Sequence, residues 1–159
     1  MLVAYRFLHV LLAFLWFAAV FAAHWNAMQA RRSNSWTTRA SLFAVNRGLS
    51  MMIALPTLIG LGLVGNVFAM QMGYTMKTSL PFMIANGLWT VLVLVTLVIE
   101  MPASGALGAL AHATAAAGTN AEPAGWSREF GRWRAANGLL LLGFLVLLGV
   151  MVSPWAAHP

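Results

Sequence analysis

Residues 3–25 read VAYRFLHVLLAFLWFAAVFAAHW, an apolar run interrupted only by Arg6, His9 and His24. About 20 apolar residues in helical conformation cross the ~30 Å hydrocarbon core of a bilayer, so this stretch predicts a transmembrane helix. It is longer than the ~7–15 apolar residues of a signal-peptide core, and Ala22-Ala23-His24 is only loosely like a cleavage site, so the helix is expected to be retained. An imidazole inside such a helix is costly unless it has a partner or a task. Each of the two histidines therefore needs a reason to be there.

The rest of the composition agrees with a membrane setting. Of 159 residues, 61% are hydrophobic and 8% charged, far from the balance of a water-soluble domain. The absence of cysteine excludes disulfides, thiolate metal clusters and cysteine nucleophiles. Nine Lys and Arg against three acidic residues raise the pI to about 11.5. The basic residues flank apolar spans, where they set topology, so the charge does not imply nucleic acid.

Working outward, four spans are expected, at 3–25, 42–70, 81–101 and 130–152, in one membrane domain over 1–159. Pro56 predicts a kink in the second. Pro81 suits the first turn of the third, and Glu100 stands at its far end. The connections are 26–41, 71–80 and 102–129. The Ala/Gly-rich part of the last, with His112 and Glu122, lacks a continuous apolar run and fits a surface helix over 105–117 or an irregular loop. Arg31, Arg32, Arg39, Arg47, Arg128, Arg132 and Arg134 gather on one side, against Arg6 and Lys77 on the other. The positive-inside rule then puts loops 26–41 and 102–129 in the cytoplasm and both termini outside. The fold class is all-α, a four-transmembrane-helix bundle in the inner (plasma) membrane.

Gly60-Leu61-Gly62-Leu63-Val64-Gly65 formally matches a dinucleotide-binding fingerprint. That motif needs a strand before it and an acidic residue after it, and here it lies within an apolar span. Close helix packing is the better reading. His9, two turns into the first span, is the best candidate ligand, because neutral imidazole is a common axial ligand of haem iron. The bland reading is a polar residue bonded across the bundle. His24 lies fifteen residues on, about 22 Å along the axis, so the two cannot share an iron. It reads as an interface residue beside Trp25, and His112 and His158 as solvent-exposed. Met70, Met72 and Met76 offer soft thioethers suited to Cu(I), or plain apolar filler. Arg132 and Arg134 read first as headgroup anchors, and in a haem protein as partners of a propionate at the inner face. There is no catalytic carboxylate pair and no Ser/His/Asp set. Glu100 is the one acidic residue placed to serve a proton path.

Leu8-His9-Val10-Leu11-Leu12-Ala13-Phe14-Leu15-Trp16 resembles the opening of a family of small integral membrane proteins of unknown function. Phe130-Gly131-Arg132-Trp133-Arg134-Ala135-Ala136-Asn137-Gly138 resembles the start of that family's last helix. The layout is similar to CopD-type membrane domains and to HemJ-type haem proteins. The HemJ resemblance implies haem b on a first-helix histidine, here His9. The lysine that family places in its third helix has no counterpart, since Lys77 precedes that span. The expected function is thus a b-type haem protein or haem-bearing oxidoreductase subunit in membrane electron transfer, with the second axial ligand open. Its partners would be the lipid bilayer and a redox partner or other membrane subunits. A copper-handling protein using Met70, Met72 and Met76 with His9, and a structural subunit packing through Gly60, Gly62 and Gly65 of the second helix and Gly138, Gly143 and Gly149 of the last, are the alternatives.

Overall fold

A computed structural model of the chain describes residues 2–76 and 79–152, with the side chains of Met151 and Val152 excepted. Lys77 and His158 fall outside it. Four helices form an antiparallel bundle: α1 Leu2–Arg32, α2 Trp36–Gln71, α3 Leu80–Ala116 and α4 Trp126–Val152. Among the described residues, all four are long and apolar enough to cross a membrane. α1 and α3 each pack against both α2 and α4, which closes the ring.

The helices are longer than the expected spans. At 31, 36, 37 and 27 residues and 1.5 Å per residue they measure about 40–56 Å. Residues 26–32 and 36–41, expected as a loop, are helical, and the turn between α1 and α2 is only Ser33 to Ser35. The stretch 102–129 is likewise helical up to Ala116 and again from Trp126. Hydropathy marks where lipid is and not where a helix stops. Ser35 and Ser79 set the true starts of α2 and α3, each accepting a backbone N–H three residues on, from Thr38 and Phe82. Gly118, with φ of 64°, ends α3 in a conformation that favours glycine.

Large exposed apolar side chains form a belt suited to lipid, from Leu2 to Trp25 on α1, Val45 to Met76 on α2 and beyond it, Leu80 to Val98 on α3 and Leu139 to Leu148 on α4. Beyond the belt, at the arginine-rich end, the bundle continues with its own aromatic core. Trp36, Phe43, Trp126, Phe130 and Trp133 interlock there around Ala27, Ala30, Leu107 and Ala111. A second apolar core, built on Trp16, Leu58, Leu61, Leu92 and Leu140, fills the belt region.

Between the two cores α2 and α3 each widen into one π turn, Ser50–Ala54 and Thr96–Glu100. The N–H of Leu55 reaches Ser50 and that of Met101 reaches Thr96, five residues back. In both helices a proline follows at once, Pro56 and Pro102. Proline lacks an N–H and its ring crowds the carbonyl four residues earlier, so the wider turn gives that carbonyl room. This is the physical form of the irregularity expected at Pro56, and Pro102 brings a second one.

Candidate functional site

At the end of the bundle opposite the arginine cluster, a pocket of about 410 Å³ opens between the helices, a size common for small-molecule sites. His9 stands in it with Arg6, Asn66, Asn86, Met72 and Trp89. The α2 glycines shape it. Side chains seat directly on them: Leu12 over Gly60, Trp89 over Gly62 and the His9 ring over Gly65. A Cβ at Gly65 would stand 2.7 Å from His9 Cε1, so glycine is what lets the imidazole lie flush against α2. Trp89 Nε1 donates to the Leu58 carbonyl at 2.7 Å. Asn66 donates to Asn86 at 2.8 Å, and each also donates to a carbonyl one turn back on its own helix. Most polar groups of the pocket are thus occupied, but His9 Nδ1 is buried without a hydrogen-bond partner. A buried ring nitrogen is expensive to leave without a partner.

Of the three methionines weighed for copper, Met72 lines this pocket. Met70 and Met76 are 68% and 52% exposed and do not line it. Arg132 and Arg134 stand at the opposite end of the bundle. Arg132 bonds Glu129 Oε2 at 3.0 Å, and Arg134 lines a separate pocket with Arg31 and Arg39. The two arginines are on the order of 20 Å from His9 along the axis, so one macrocycle does not reach from that histidine to them. Among the described residues, no three His, Asp or Glu side chains are grouped to hold a metal ion.

His24 turns into the bundle, where its Nδ1 pairs with Asn137 Oδ1 at 3.0 Å. Asn137 also donates to the Val20 carbonyl at 3.3 Å, which pins α4 to α1. His112 is exposed.

The π turns carry a second constellation. Glu100, 2% exposed, accepts hydrogen bonds at Oε1 from Ser50 Oγ at 3.0 Å and from Trp133 Nε1 at 3.1 Å. No salt bridge reaches it among the described residues. Oε2 and the Ser104 hydroxyl one turn on are buried without partners. Asn46 continues the polar layer toward α1, donating to the Ala23 carbonyl at 3.0 Å and accepting from Asn26 at 3.1 Å. The spacing was visible beforehand, since Asn46 and Ser50, and Thr96, Glu100 and Ser104, recur every four residues in otherwise apolar helices. The partner Trp133 had no such signal.

The chain matches no known protein family, no curated protein and no solved structure.

Proposed function

We propose that this is a multi-pass plasma-membrane protein, termini outside, that binds a b-type haem through His9 and passes electrons within the membrane. The observation that carries the reading is the placement of His9, seated on Gly65 with Nδ1 unpartnered, in the lining of a largely apolar pocket. A neutral imidazole lining a ligand-sized space is what would hold haem iron. Bound there, haem b would supply one-electron chemistry. The chain's part is to hold the imidazole flush on Gly65, to offer Arg6 at the pocket lining for a propionate, and to keep water away with Leu61, Phe82 and Trp89. Among the described residues Met72 is the one thioether lining the same pocket, and it would be the natural second ligand. The propionate role moves from Arg132 and Arg134 to Arg6, because only Arg6 shares a pocket with His9. The histidine's place in the Leu8–Trp16 resemblance supports the same residue. The orientation rests on the arginine-rich end of the bundle facing the cytoplasm.

A reduced-minus-oxidised visible spectrum of the lipid-embedded protein, with iron measured on the same sample, tests the reading. A b-type spectrum lost in His9→Ala is expected. A colourless, iron-free protein that also fails to take up added haemin would overturn it. Copper handling is the second reading, favoured by His9 and Met72 sharing one pocket. Copper in place of iron, lost in Met72→Ala, would select it.

A further inference from the structure

The buried carboxyl between the two π turns has no part in the haem reading, and its surroundings point to a different chemistry. Glu100 lies just past Val98, the last exposed large apolar residue of α3, which is 62% exposed. It therefore sits where the lipid belt ends, inside protein but close to the water on the arginine-rich side. Isolated buried carboxyl groups are rare and mark ion or proton pathways, and π turns recur at functional sites. One carboxyl oxygen is saturated by two donors, from Ser50 and Trp133. The other, together with the Ser104 hydroxyl, is buried and unpartnered.

We propose that Glu100 is a proton-exchange site: Oε2 takes up a proton from water at the arginine-rich end, with Ser104 as relay, and returns it. The uptake forms one O–H bond at Oε2 and breaks one O–H bond in a hydronium or water molecule; release is the reverse. A hydroxyl both donates and accepts, so Ser104, one turn from Glu100, can pass the proton on. A hard metal cation is the poorer occupant. It gathers about six oxygens, whereas here two oxygens are free and the other two groups present N–H and O–H hydrogens. The titratable or charged groups that the packed helices bring to this level are His24 of α1, Arg47 of α2 and the Glu129–Arg132 pair of α4. His24 is engaged with Asn137 and stacks on Trp133 at 6.4 Å. Arg47 is exposed, and Glu129 is held by Arg128 and Arg132. None of them pairs with Glu100, which leaves the proton as its counter-charge.

The chain's three acidic residues make infrared spectroscopy decisive. Spectra of the lipid-embedded full chain would be recorded through a pH series in H2O and D2O. The expected result is a protonated-carboxyl C=O band that is missing in Glu100→Gln, shifts in D2O, and gives way to carboxylate absorption as pH rises. Ser104→Ala is expected to slow the D2O shift, and Trp133→Phe to move the pH midpoint. The amide band and elution volume report whether each variant folds. If Glu100→Gln does not, the slowed D2O shift in Ser104→Ala and the moved pH midpoint in Trp133→Phe carry the assignment. The proposal is overturned by a band that is absent at every pH at which the chain is folded. It is equally overturned by one that neither titrates nor exchanges, or that survives in Glu100→Gln. None of these readouts depends on iron, so the haem reading and this one fail separately.

Discussion

Adding one methyl group at Gly65 should disturb the packing of the molecule chiefly through His9. The new Cβ would lie 2.7 Å from His9 Cε1 and 3.1 Å from Nδ1, while carbon atoms in contact prefer about 3.5–4.0 Å. The ring would have to retreat by about 0.8 Å or more, out of its seat on α2. Overpacking of this kind costs about 1–3 kcal/mol. Set against it is the gain of up to about 1 kcal/mol for alanine over glycine inside a helix, so the single variant should fall between neutral and about 2 kcal/mol less stable. The sharper quantity is the coupling. In a His9→Ala background the clash is gone and only the helix gain remains, so the effect of Gly65→Ala should change by about 1–3 kcal/mol between backgrounds. Gly60→Ala calibrates the gain, because its Cβ would meet only the flexible tip of Leu12 at 3.3 Å. Reversible unfolding of the four proteins in mixed detergent micelles, followed by circular dichroism, measures the cycle. Equal effects of Gly65→Ala with and without His9 would refute the packing argument. If the pocket holds haem, the same displacement should also weaken retention about 5- to 150-fold, at tenfold per 1.4 kcal/mol.

Three further outcomes follow from other contacts. Trp133→Phe should cost about 1 kcal/mol or more beyond Trp16→Phe in the same unfolding assay. Both indoles are buried, but only Trp133 donates a hydrogen bond, whereas Trp16 Nε1 has no partner. A double-mutant cycle of His24→Ala and Asn137→Ala should show a coupling of about 0.6 kcal/mol and at most about 1.7 kcal/mol, the span found for hydrogen bonds between membrane helices. Zero coupling would mean that His24 is only a boundary residue. Arg39→Lys should lower stability by about 1 kcal/mol, whereas Arg32→Lys at an exposed position should be near neutral. Arg39 lies 4.1 Å from the Trp36 ring centre and gives two hydrogen bonds to the Ser33 carbonyl, a geometry that an ammonium group cannot reproduce.

Much of the architecture was legible because it depends on one strong signal. Four long apolar stretches announce four helices, and the arginines at Arg31, Arg32, Arg39 and Arg134 announce which ends share a side. Helix ends were less legible, because residues 26–32, 36–41 and 102–116 are polar or small and yet helical. They bury alanines and aromatics against one another, and hydropathy does not register that. The small-residue faces were only half readable. Gly60, Gly62 and Gly65 each seat a side chain, and so does Gly143 under Leu92, but a Cβ at Gly138 or Gly149 would meet nothing within 4 Å. His9 could be singled out from its setting alone, while its seat on Gly65 and its distance from Arg132 required the packing of α1 on α2. Glu100 was visible as a lone acid, but its donor Trp133 is thirty-three residues away, and no local pattern links them.

The polar layer at the π turns has one more consequence, for the order in which the molecule comes apart. It separates an aromatic core beyond the lipid belt from an aliphatic one within it, so the apolar contacts that propagate cooperativity are interrupted at Asn46, Ser50, Glu100 and Asn137. The two ends of the bundle are therefore expected to open locally with different free energies. In a bilayer the arginine-rich end would meet water and denaturant directly, while lipid would shield the other. Amide protons of residues 36–44 and 103–114 should therefore exchange as one early group, and those of residues 56–66 and 85–95 as a later one.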